Sequence, residues 1–267
     1  MGCQGYLLDR YFKVVGRAIA VVSKFLLVTD LDNTLIGDDD ALKRLNVWFK
    51  AHRQTYGSKL VYATGRSLKS YQRLVAQSSL LEPDVLIASV GTEIYYPDDA
   101  LDEAWSSLSS DWNRAGIAAI AQHFPQLIPQ PESEQRPFKL SFVLTPENRS
   151  ILPELEAQLI AKGMEAEIIY SNDHDLDIVR RKVNKGSALT YICQVLGFTA
   201  EHTVVCGDSG NDIALFTANT LGIIVGNARR ELLQWHQDNP ESDPYLAQAH
   251  YAAGIIEGLK YFGILRE

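Results

Sequence analysis

Three short apolar runs, separated by stretches with helical periodicity, constrain the fold of this chain more than any other feature. The runs cover residues 25–28, 58–63 and 84–88, and their length and aliphatic character are typical of buried strands. Leu68 and Tyr71 lie on the apolar stripe of one intervening helix. Successive strand–helix–strand units wind a parallel sheet by right-handed crossovers. The sequence therefore predicts an α/β fold with a doubly wound, mostly parallel sheet.

Two carboxylates directly follow the first run, in the segment Asp30-Leu31-Asp32-Asn33-Thr34. Like charges near an apolar core oppose each other's ionisation, so a cation is expected beside them. Mg²⁺ accompanied by a phosphate fits best, because Mg²⁺ prefers oxygen ligands and a carboxylate can act as a nucleophile. The alternative is a solvated acidic turn, such as the aspartates at 38–40.

Further polar motifs follow or precede the other predicted elements. Thr64-Gly65-Arg66 ends the second strand, Lys185-Gly186 precedes a helix, and the glycine-rich segment 207–212 follows an apolar run at 203–206. Backbone and side-chain donors at such helix starts can hold phosphoryl oxygens. Ligands of parallel sheets bind beyond the carboxyl ends of the strands. These motifs are therefore expected to converge on one site.

The pattern changes after residue 100. Two segments, 138–144 and 166–170, alternate apolar and polar residues on either side of a helical stretch at 147–162. Alternation predicts a sheet with one covered face and one face toward a cleft or solvent. The segment is therefore predicted to be a small inserted domain that hinges on the main one. The predicted division is an extension at 1–23, a core of 24–100 and 183–267, and an α/β cap of 101–182.

Composition excludes several classes of function. The chain has 267 residues, 46% of them hydrophobic, and a formal net charge of −8, which argues against nucleic acid or an anionic membrane surface as the main partner. Cys3, Cys193 and Cys206 lack the spacing of a zinc site or a disulfide framework, so a reducing cytoplasm is expected. No stretch approaches the roughly 18 apolar residues of a membrane span.

Together, these motifs resemble those of the haloacid dehalogenase-like phosphatases, in the family's order. The position of the predicted cap is similar to that of the α/β-cap branch. Within that branch, the chain resembles the sucrose-phosphate phosphatase family in three further segments, 90–94, 175–178 and 252–259. The resemblance extends from about residue 24 to the C-terminus.

The resemblance implies a division of chemical roles. Asp30 would be the nucleophile that carries a transient aspartyl phosphate, and Asp32 the general acid and base. Thr64 and Lys185 would complete the catalytic set by holding phosphoryl oxygens. The implied Mg²⁺ ligands are Asp30, the backbone carbonyl of Asp32, Asp208 and Asp212. The implied phosphate-binding residues are Thr34, Thr64, Gly65, Lys185 and Asn211.

The substrate is expected to be a sugar phosphate. Sugars are held by carboxylate and amide groups, which residues 172–177 concentrate, although such a segment can equally be a solvated turn. In this branch the cap and the adjoining turn select the leaving group. The predicted sugar-binding residues are Thr92, Glu93, Lys139, Asn172 and Asp175.

The leading hypothesis is an Mg²⁺-dependent phosphatase that converts sucrose 6-phosphate to sucrose and phosphate, the last step of sucrose synthesis. An alternative is a related phosphatase for mannosyl-3-phosphoglycerate or glucosylglycerol phosphate. Arg136 and Lys139, with the basic residues at 180–182, leave open a substrate that carries an extra carboxylate. Two hypotheses of a different kind are a phosphotransferase and an inactive domain that partners a sucrose-phosphate synthase. The sequence gives no oligomeric state, and a monomer is favoured.

Overall fold

The computed structural model describes residues 24–266, so the predicted extension at 1–23 lies outside the described residues. The strands are β1 Leu26–Thr29, β2 Lys59–Ala63, β3 Val85–Ala88, β4 Glu93–Tyr96, β5 Ala100–Leu101, β6 Ile128–Pro129, β7 Lys139–Val143, β8 Ala166–Ser171, β9 Asp175–Arg180, β10 Thr203–Gly207, β11 Leu221–Ile224 and β12 Tyr245–Leu246. The α-helices are α1 Asp39–Tyr56, α2 Leu68–Val75, α3 Glu103–Ser107, α4 Arg114–Ala121, α5 Leu152–Ala161, α6 Lys185–Leu196, α7 Ile213–Phe216, α8 Arg230–Asp238 and α9 Tyr251–Tyr261.

The large sheet has eight strands in the order β12-β11-β10-β1-β2-β3-β4-β5. Neighbours from β12 to β3 pair in parallel, while β4 and β5 add an antiparallel edge. The central strands are buried on both faces, which explains their unbroken apolar runs. The prediction of an α/β fold with a mostly parallel sheet is confirmed.

Helices cover both faces of this sheet, because successive side chains of a strand point to opposite sides. Phe25, which precedes β1, and Leu27 of β1 pack in one apolar cluster with residues of α1 and α9. Leu26 and Val28 pack in a second cluster with residues of α6 and α7. The two clusters form the core that fixes the carboxyl ends of the strands.

The small sheet consists of four antiparallel strands in the order β6-β7-β9-β8. One face packs on α4 and α5 through residues such as Ile117, Leu155 and Leu176. On β7 and β9, the polar residues Lys139, Ser141 and Asp177 are buried although they do not belong to that apolar cluster. The small sheet therefore has one apolar face and one polar, largely enclosed face.

Strand β9 differs from the sequence prediction, which placed residues 172–177 in a polar segment. The structure confines the turn to the residues between β8 and β9 and continues from Asp175 as a strand. Asp175 and Asp177 alternate with Leu176 and Ile178, which is the period of a strand with one polar face. Because aspartate is rare in strands, the two aspartates favoured a polar turn over a strand in the sequence prediction.

Two further features bear on the sequence predictions. Cys193 and Cys206 are free thiols, and the cytoplasmic location that the cysteine spacing suggested stays a prediction. Between residues 24 and 266, none of the helices has the length and apolar character needed to span a bilayer.

Candidate active site

Sheet topology brings the sequence motifs together at one edge. Strand β1 lies between β2 and β10, so Asp30, Thr64 and Asp208 follow neighbouring parallel strands. The amide of Asp30 donates to the carbonyl of Cys206 at 3.0 Å, which extends the β1–β10 pairing to the nucleophile candidate. The motifs therefore meet because strands adjacent in space end at the same level.

Lys185 lies at the centre of this edge and is fully buried. Its ammonium donates to the carboxylates of Asp30 and Asp212 at 2.8 and 2.7 Å and to the amide oxygen of Asn211 at 2.7 Å. Burial opposes the charge of Lys185, but Asp212 and Asp30 raise its pKa above the ordinary value. Lys185 is therefore a fixed positive charge beside the nucleophile candidate.

Local sequence explains how Lys185 reaches this position. Asn184 caps helix α6 by a reciprocal pair of hydrogen bonds with Ser187, so the helix begins at Lys185. Gly186 allows close packing, since a Cβ there would lie 2.2 Å from the carbonyl oxygen of Ala214. The helix start therefore lies against the segment that carries Asn211.

Three aspartates form a compact acidic group. Ligand atoms of Asp30, Asp208 and Asp212 lie within 4.8 Å of one another, and all three residues are buried. Asp212 is held from two sides, because its Oδ2 accepts from the amides of Asp208 and Ser209 at 3.0 and 3.1 Å. Burial raises the pKa of Asp30 to about 7, although Lys185 opposes the shift. Burial, together with Asp30 and Asp212, raises the pKa of Asp208 to about 8.

The acidic group fits a divalent metal. Oδ1 of Asp208 accepts from the Thr34 hydroxyl at 2.8 Å, whereas Oδ2 of Asp208 is buried without a hydrogen-bond partner among residues 24–266. A buried carboxylate oxygen without a partner is costly unless a cation satisfies it. Lys185 supplies one positive charge to three carboxylates, which leaves room for a second cation. Oxygen-only donors of this kind suit Mg²⁺ or a similar hard ion.

Asp32 does not belong to the acidic group and pairs with Arg66. The Nε and Nη2 atoms of Arg66 donate to the two carboxylate oxygens of Asp32, both at 2.7 Å. Arg66 also donates to Ser70 at 3.0 Å, which anchors it to α2. Sequence reasoning did not select Arg66 as a site residue. Its presence in the Thr64-Gly65-Arg66 motif was the signal available.

A cavity of about 220 Å³ joins the large sheet to the polar face of the small sheet. It contains the carboxyl groups of Asp30 and Asp32 at one end and residues of β7, β8 and β9 at the other. The lining residues are Asp30, Asp32, Gly65, Arg66, Gln130, Glu134, Lys139, Ser171, Asn172, Asp175, Asp177, Ser209 and Asn211.

Three of the predicted sugar-binding residues line this cavity. Lys139 is buried in an ion pair with Asp177 at 3.2 Å. Asp175 accepts from Gln130 at 2.8 Å and from Asn172 at 3.2 Å. These contacts form a polar network on the small sheet that faces Asp30.

The structure does not bring Thr92 and Glu93 to the cavity. The Thr92 hydroxyl is buried and donates to the carbonyl of Ser89 at 3.0 Å. Glu93 accepts from Ser89 at 3.0 Å and from Arg136 at 2.9 Å. The Thr92 side chain therefore bonds within the turn after β3. The Glu93 side chain bonds to the same turn and forms an ion pair with Arg136, which lies just before β7. Position at the strand end suggested a ligand contact, but the side chains turn inward.

The two predicted phosphate-binding threonines also lie outside the cavity lining. The Thr34 hydroxyl is buried on Asp208, and the Thr64 hydroxyl accepts from the amide of Arg66 at 3.2 Å. Gly65 and Asn211 line the cavity as expected from their motifs. The hydroxyls are therefore placed to orient Asp208 and the Gly65 turn.

Several lining residues were not selected from sequence. Asp177 belongs to the 175–178 segment that carried the family resemblance, and its alternation with apolar residues was an available signal. Gln130 and Glu134 come from a proline-rich stretch with no recognisable pattern. Only the fold places them opposite Asp32.

Comparison with known proteins gives the family. A sequence model of the sucrose-6F-phosphate phosphohydrolase family matches residues 23–263. A probable sucrose-phosphatase 2 of Arabidopsis thaliana is 38% identical over 253 residues, covering 90% of this chain and 60% of the plant protein. The chain thus spans about three-fifths of the length of such plant relatives. Mannosylfructose-phosphate phosphatase of Agrobacterium fabrum is 36% identical and is covered over 97% of its length.

Solved structures agree with this assignment. The sucrose-phosphatase of Synechocystis sp. PCC6803, solved in complex with sucrose and phosphate, superposes with a TM-score of 0.86 at 39% identity, covering 91% of this chain and 100% of that one. A haloacid dehalogenase-like hydrolase of Bacillus subtilis shares the fold at 16% identity, with a TM-score of 0.62. The chain therefore belongs to the sucrose-6F-phosphate phosphohydrolase family, a family of phosphoric monoester hydrolases with the haloacid dehalogenase-like fold.

Proposed function

We propose that this protein is an Mg²⁺-dependent phosphatase that hydrolyses sucrose 6-phosphate to sucrose and phosphate through an aspartyl-phosphate intermediate. The observation that carries the proposal is the cavity that joins Asp30 to the polar face of the small sheet. One end has the charges for phosphoryl transfer, and the other has the carboxylates and amides that bind hydroxyl groups. Family membership and the sucrose named for the Synechocystis relative support the choice of sugar.

The first step is in-line attack by a carboxylate oxygen of Asp30 on phosphorus. The bond between phosphorus and the sugar oxygen breaks, and protonated Asp32 gives its proton to that oxygen. Lys185, which contacts Asp30 at 2.8 Å, offsets negative charge on the phosphoryl oxygens. Sucrose then leaves, and the phosphoryl group remains on Asp30.

Water resolves the intermediate in the second step. Asp32, now ionised, takes a proton from water as the water oxygen attacks phosphorus. The bond between phosphorus and the Asp30 oxygen breaks, phosphate leaves, and both aspartates return to their starting states. Arg66 donates to both oxygens of Asp32 in this ionised form. To carry the proton that it donates in the first step, Asp32 must release at least one of these hydrogen bonds. Asp30, Asp208 and Asp212 would hold Mg²⁺, and a metal held there would neutralise charge on the transferred group.

The small sheet acts as the substrate-selecting cap in this proposal, and residues 101–182 are its domain. Five acidic and two basic residues line the cavity, and the basic pair, Arg66 and Lys139, are each matched to a carboxylate. Such a lining favours a neutral polyol, whose hydroxyls donate to carboxylates. A leaving group with its own carboxylate, as in mannosyl-3-phosphoglycerate, would be repelled.

A second candidate substrate is mannosylfructose phosphate. The chain covers 97% of the Agrobacterium enzyme with that activity, against 60% of the Arabidopsis relative. Both disaccharides are neutral polyols, so the electrostatic argument does not separate them. In this proposal, the hydrogen bonds that Gln130, Lys139, Asp175 and Asp177 offer to sugar hydroxyls distinguish one disaccharide from the other.

Phosphate release from sucrose 6-phosphate in the presence of Mg²⁺ tests the function. We expect rapid release by the wild-type protein and none by Asp30→Asn with its fold intact. A regulatory domain without activity would release no phosphate in either form. A phosphotransferase would release little free phosphate with or without a sugar acceptor, because it passes the phosphoryl group to the acceptor instead of water. Partnership with a sucrose-phosphate synthase stays a prediction.

A further inference from the structure

Glu231 connects the small sheet to the acidic turn of the large sheet. One carboxylate oxygen, Oε1, accepts from the amide of Asn172 at 2.8 Å and from the amide of Gly210 at 3.3 Å. Asn172 lies in the turn between β8 and β9, and Gly210 lies between Asp208 and Asp212. A single atom of helix α8 therefore joins the two halves of the cavity.

The surrounding backbone is shaped for this contact. A Cβ on Gly210 would lie 2.1 Å from the carbonyl oxygen of Tyr170, so only glycine lets β8 approach the turn this closely. Asn172 and Asp173 both adopt left-handed φ angles, 57° and 51°, which cost energy for residues with a Cβ. This backbone turns the Asn172 amide toward Glu231.

A carboxylate suits the position. Two N–H donors converge on Oε1, and an acidic side chain in the first turn of α8 is favoured by the helix dipole. The second oxygen, Oε2, is buried without a hydrogen-bond partner among the residues described. The protein therefore retains a partly unsatisfied carboxylate here, a cost that a purely local cap would avoid.

Both residues whose amides donate to Glu231 are connected to the cavity lining. Asn172 itself lines the cavity and donates through its side chain to Asp175. Asn211, next to Gly210, lines the cavity and accepts from Lys185. Glu231 is absent from the lining residues, so its influence on the cavity acts through these neighbours.

We propose that Glu231 is a positioning residue that sets the distance between the sugar-binding face of the small sheet and the phosphate-binding edge of the large sheet. The inference rests on the proposed function for the class of substrate, a phosphorylated sugar. With Glu231 in place, the sugar can contact the small sheet while the phosphate contacts the large sheet. A phosphate ester that reaches only the large sheet does not need it.

Kinetics of two substrates separate positioning from a structural role. We expect Glu231→Ala to lower kcat/KM for the best sugar phosphate by about tenfold or more, mainly through KM, since it loses hydrogen bonds to a charged group. Hydrolysis of p-nitrophenyl phosphate should stay within about twofold, because that ester needs no cap contact. Glu231→Gln keeps the acceptor oxygen and should recover most of the loss. Glu241→Ala, on an exposed residue, removes the same charge and should change neither rate.

Hydrogen exchange supplies a readout that does not depend on the substrate. In Glu231→Ala, the amides of 172–174 should exchange faster by about tenfold or more, while the β1 and β10 amides keep their protection. If sucrose 6-phosphate is not hydrolysed by the wild-type protein, the proposed function fails, and the inference is judged by this exchange and by whichever sugar phosphate is hydrolysed. Unchanged exchange at 172–174, or an equal loss of activity toward both esters, overturns the inference.

Discussion

At the scale of single residues, the site is a balance of buried charges around Asp30. Its carboxylate contacts Lys185 and adjoins Asp208 and Asp212. Asp30→Asn keeps the shape and removes the nucleophilic charge, so turnover should fall by at least about a thousandfold. The unfolding temperature should not fall, because one of three crowded carboxylates becomes neutral. Phosphate-release assays and thermal denaturation check both parts, and unchanged hydrolysis contradicts the nucleophile assignment.

Lys185 makes a prediction about stability. Lys185→Met fills similar space but leaves Asp30 and Asp212 without their ammonium partner. Removing one partner of such a buried pair costs about 3–5 kcal/mol of unfolding free energy. Urea denaturation at pH 8 in EDTA should show this loss, and added Mg²⁺ should restore part of it. Lys43→Met, which breaks an exposed pair with Asp40, is the control and should leave stability nearly unchanged.

Oδ2 of Asp208, which has no hydrogen-bond partner among residues 24–266, predicts that metal binding stabilises the protein. A metal at about one hundred times its dissociation constant adds about 2.7 kcal/mol to unfolding. Mg²⁺ should therefore raise the unfolding temperature of the wild-type protein above its value in EDTA. Asp208→Asn should abolish most of that rise. An equal rise in both proteins would place the metal elsewhere.

At the scale of elements, the sequence predicted the parallel strands β1, β2 and β3 and the alternating strands β7 and β8, but it missed β9. β1, β2 and β3 were recognisable because strands buried on both faces are continuously apolar. β9 was hidden by Asp175 and Asp177, and the burial of Asp177 depends on Lys139 and Ser141 from another strand. A hydrogen-bond or ion-pair partner on a neighbouring strand is distant in sequence, so the residues around β9 do not reveal it. For the same reason the motif order predicted the acidic group but not the cavity residues Gln130 and Glu134.

The close approach of β8 to the acidic turn yields a test. Gly210→Ala places a Cβ against the Tyr170 carbonyl oxygen and should push the small sheet outward. We expect KM for the sugar phosphate to rise by about tenfold, as in Glu231→Ala, because the substrate can no longer contact both sheets at once. Steady-state kinetics measure this rise.

Gly163→Ala is the control for that substitution. Gly163 has a φ of 65° and open space around its Cβ position, so alanine there should lower stability by about 1 kcal/mol without changing KM. If Gly210→Ala leaves KM unchanged, the close approach of the two sheets has no part in binding.

At the scale of the whole molecule, the buried acidic group links stability to pH. Burial raises the pKa of Asp30 to about 7 and that of Asp208 to about 8 in the folded protein, above the 3.8 of an ordinary aspartate. Between these values the folded state binds more protons than the unfolded state, so stability falls as pH rises. In EDTA the protein should be less stable at pH 8 than at pH 6.

Mg²⁺ should reverse part of this trend, because metal binding needs ionised carboxylates. The stabilisation by Mg²⁺ should be larger at pH 8 than at pH 6. Urea denaturation at both pH values, with and without Mg²⁺, measures the difference, and Asp208→Asn serves as the control with a weaker dependence. Greater stability in EDTA at pH 8 would contradict the buried acidic group as the source.

The global charge and the cavity have different consequences for binding. A net charge of −8 repels an anionic substrate at long range. Lys185 and Arg66 provide local positive charge beside Asp30 and Asp32, and a metal held by the acidic group would add to it. Composition gives the net charge of the chain, whereas the positions of the local charges follow from the sheet topology.

The central claim is that the cavity couples phosphoryl transfer at Asp30 to recognition of a neutral disaccharide. The most direct measurement is kcat/KM, with saturating Mg²⁺, for sucrose 6-phosphate, mannosylfructose phosphate, mannosyl-3-phosphoglycerate and p-nitrophenyl phosphate. We expect the highest value for sucrose 6-phosphate and, among the sugar phosphates, the lowest value for mannosyl-3-phosphoglycerate, which carries the extra carboxylate. A preference for mannosyl-3-phosphoglycerate, or equal values for all four esters, would contradict it.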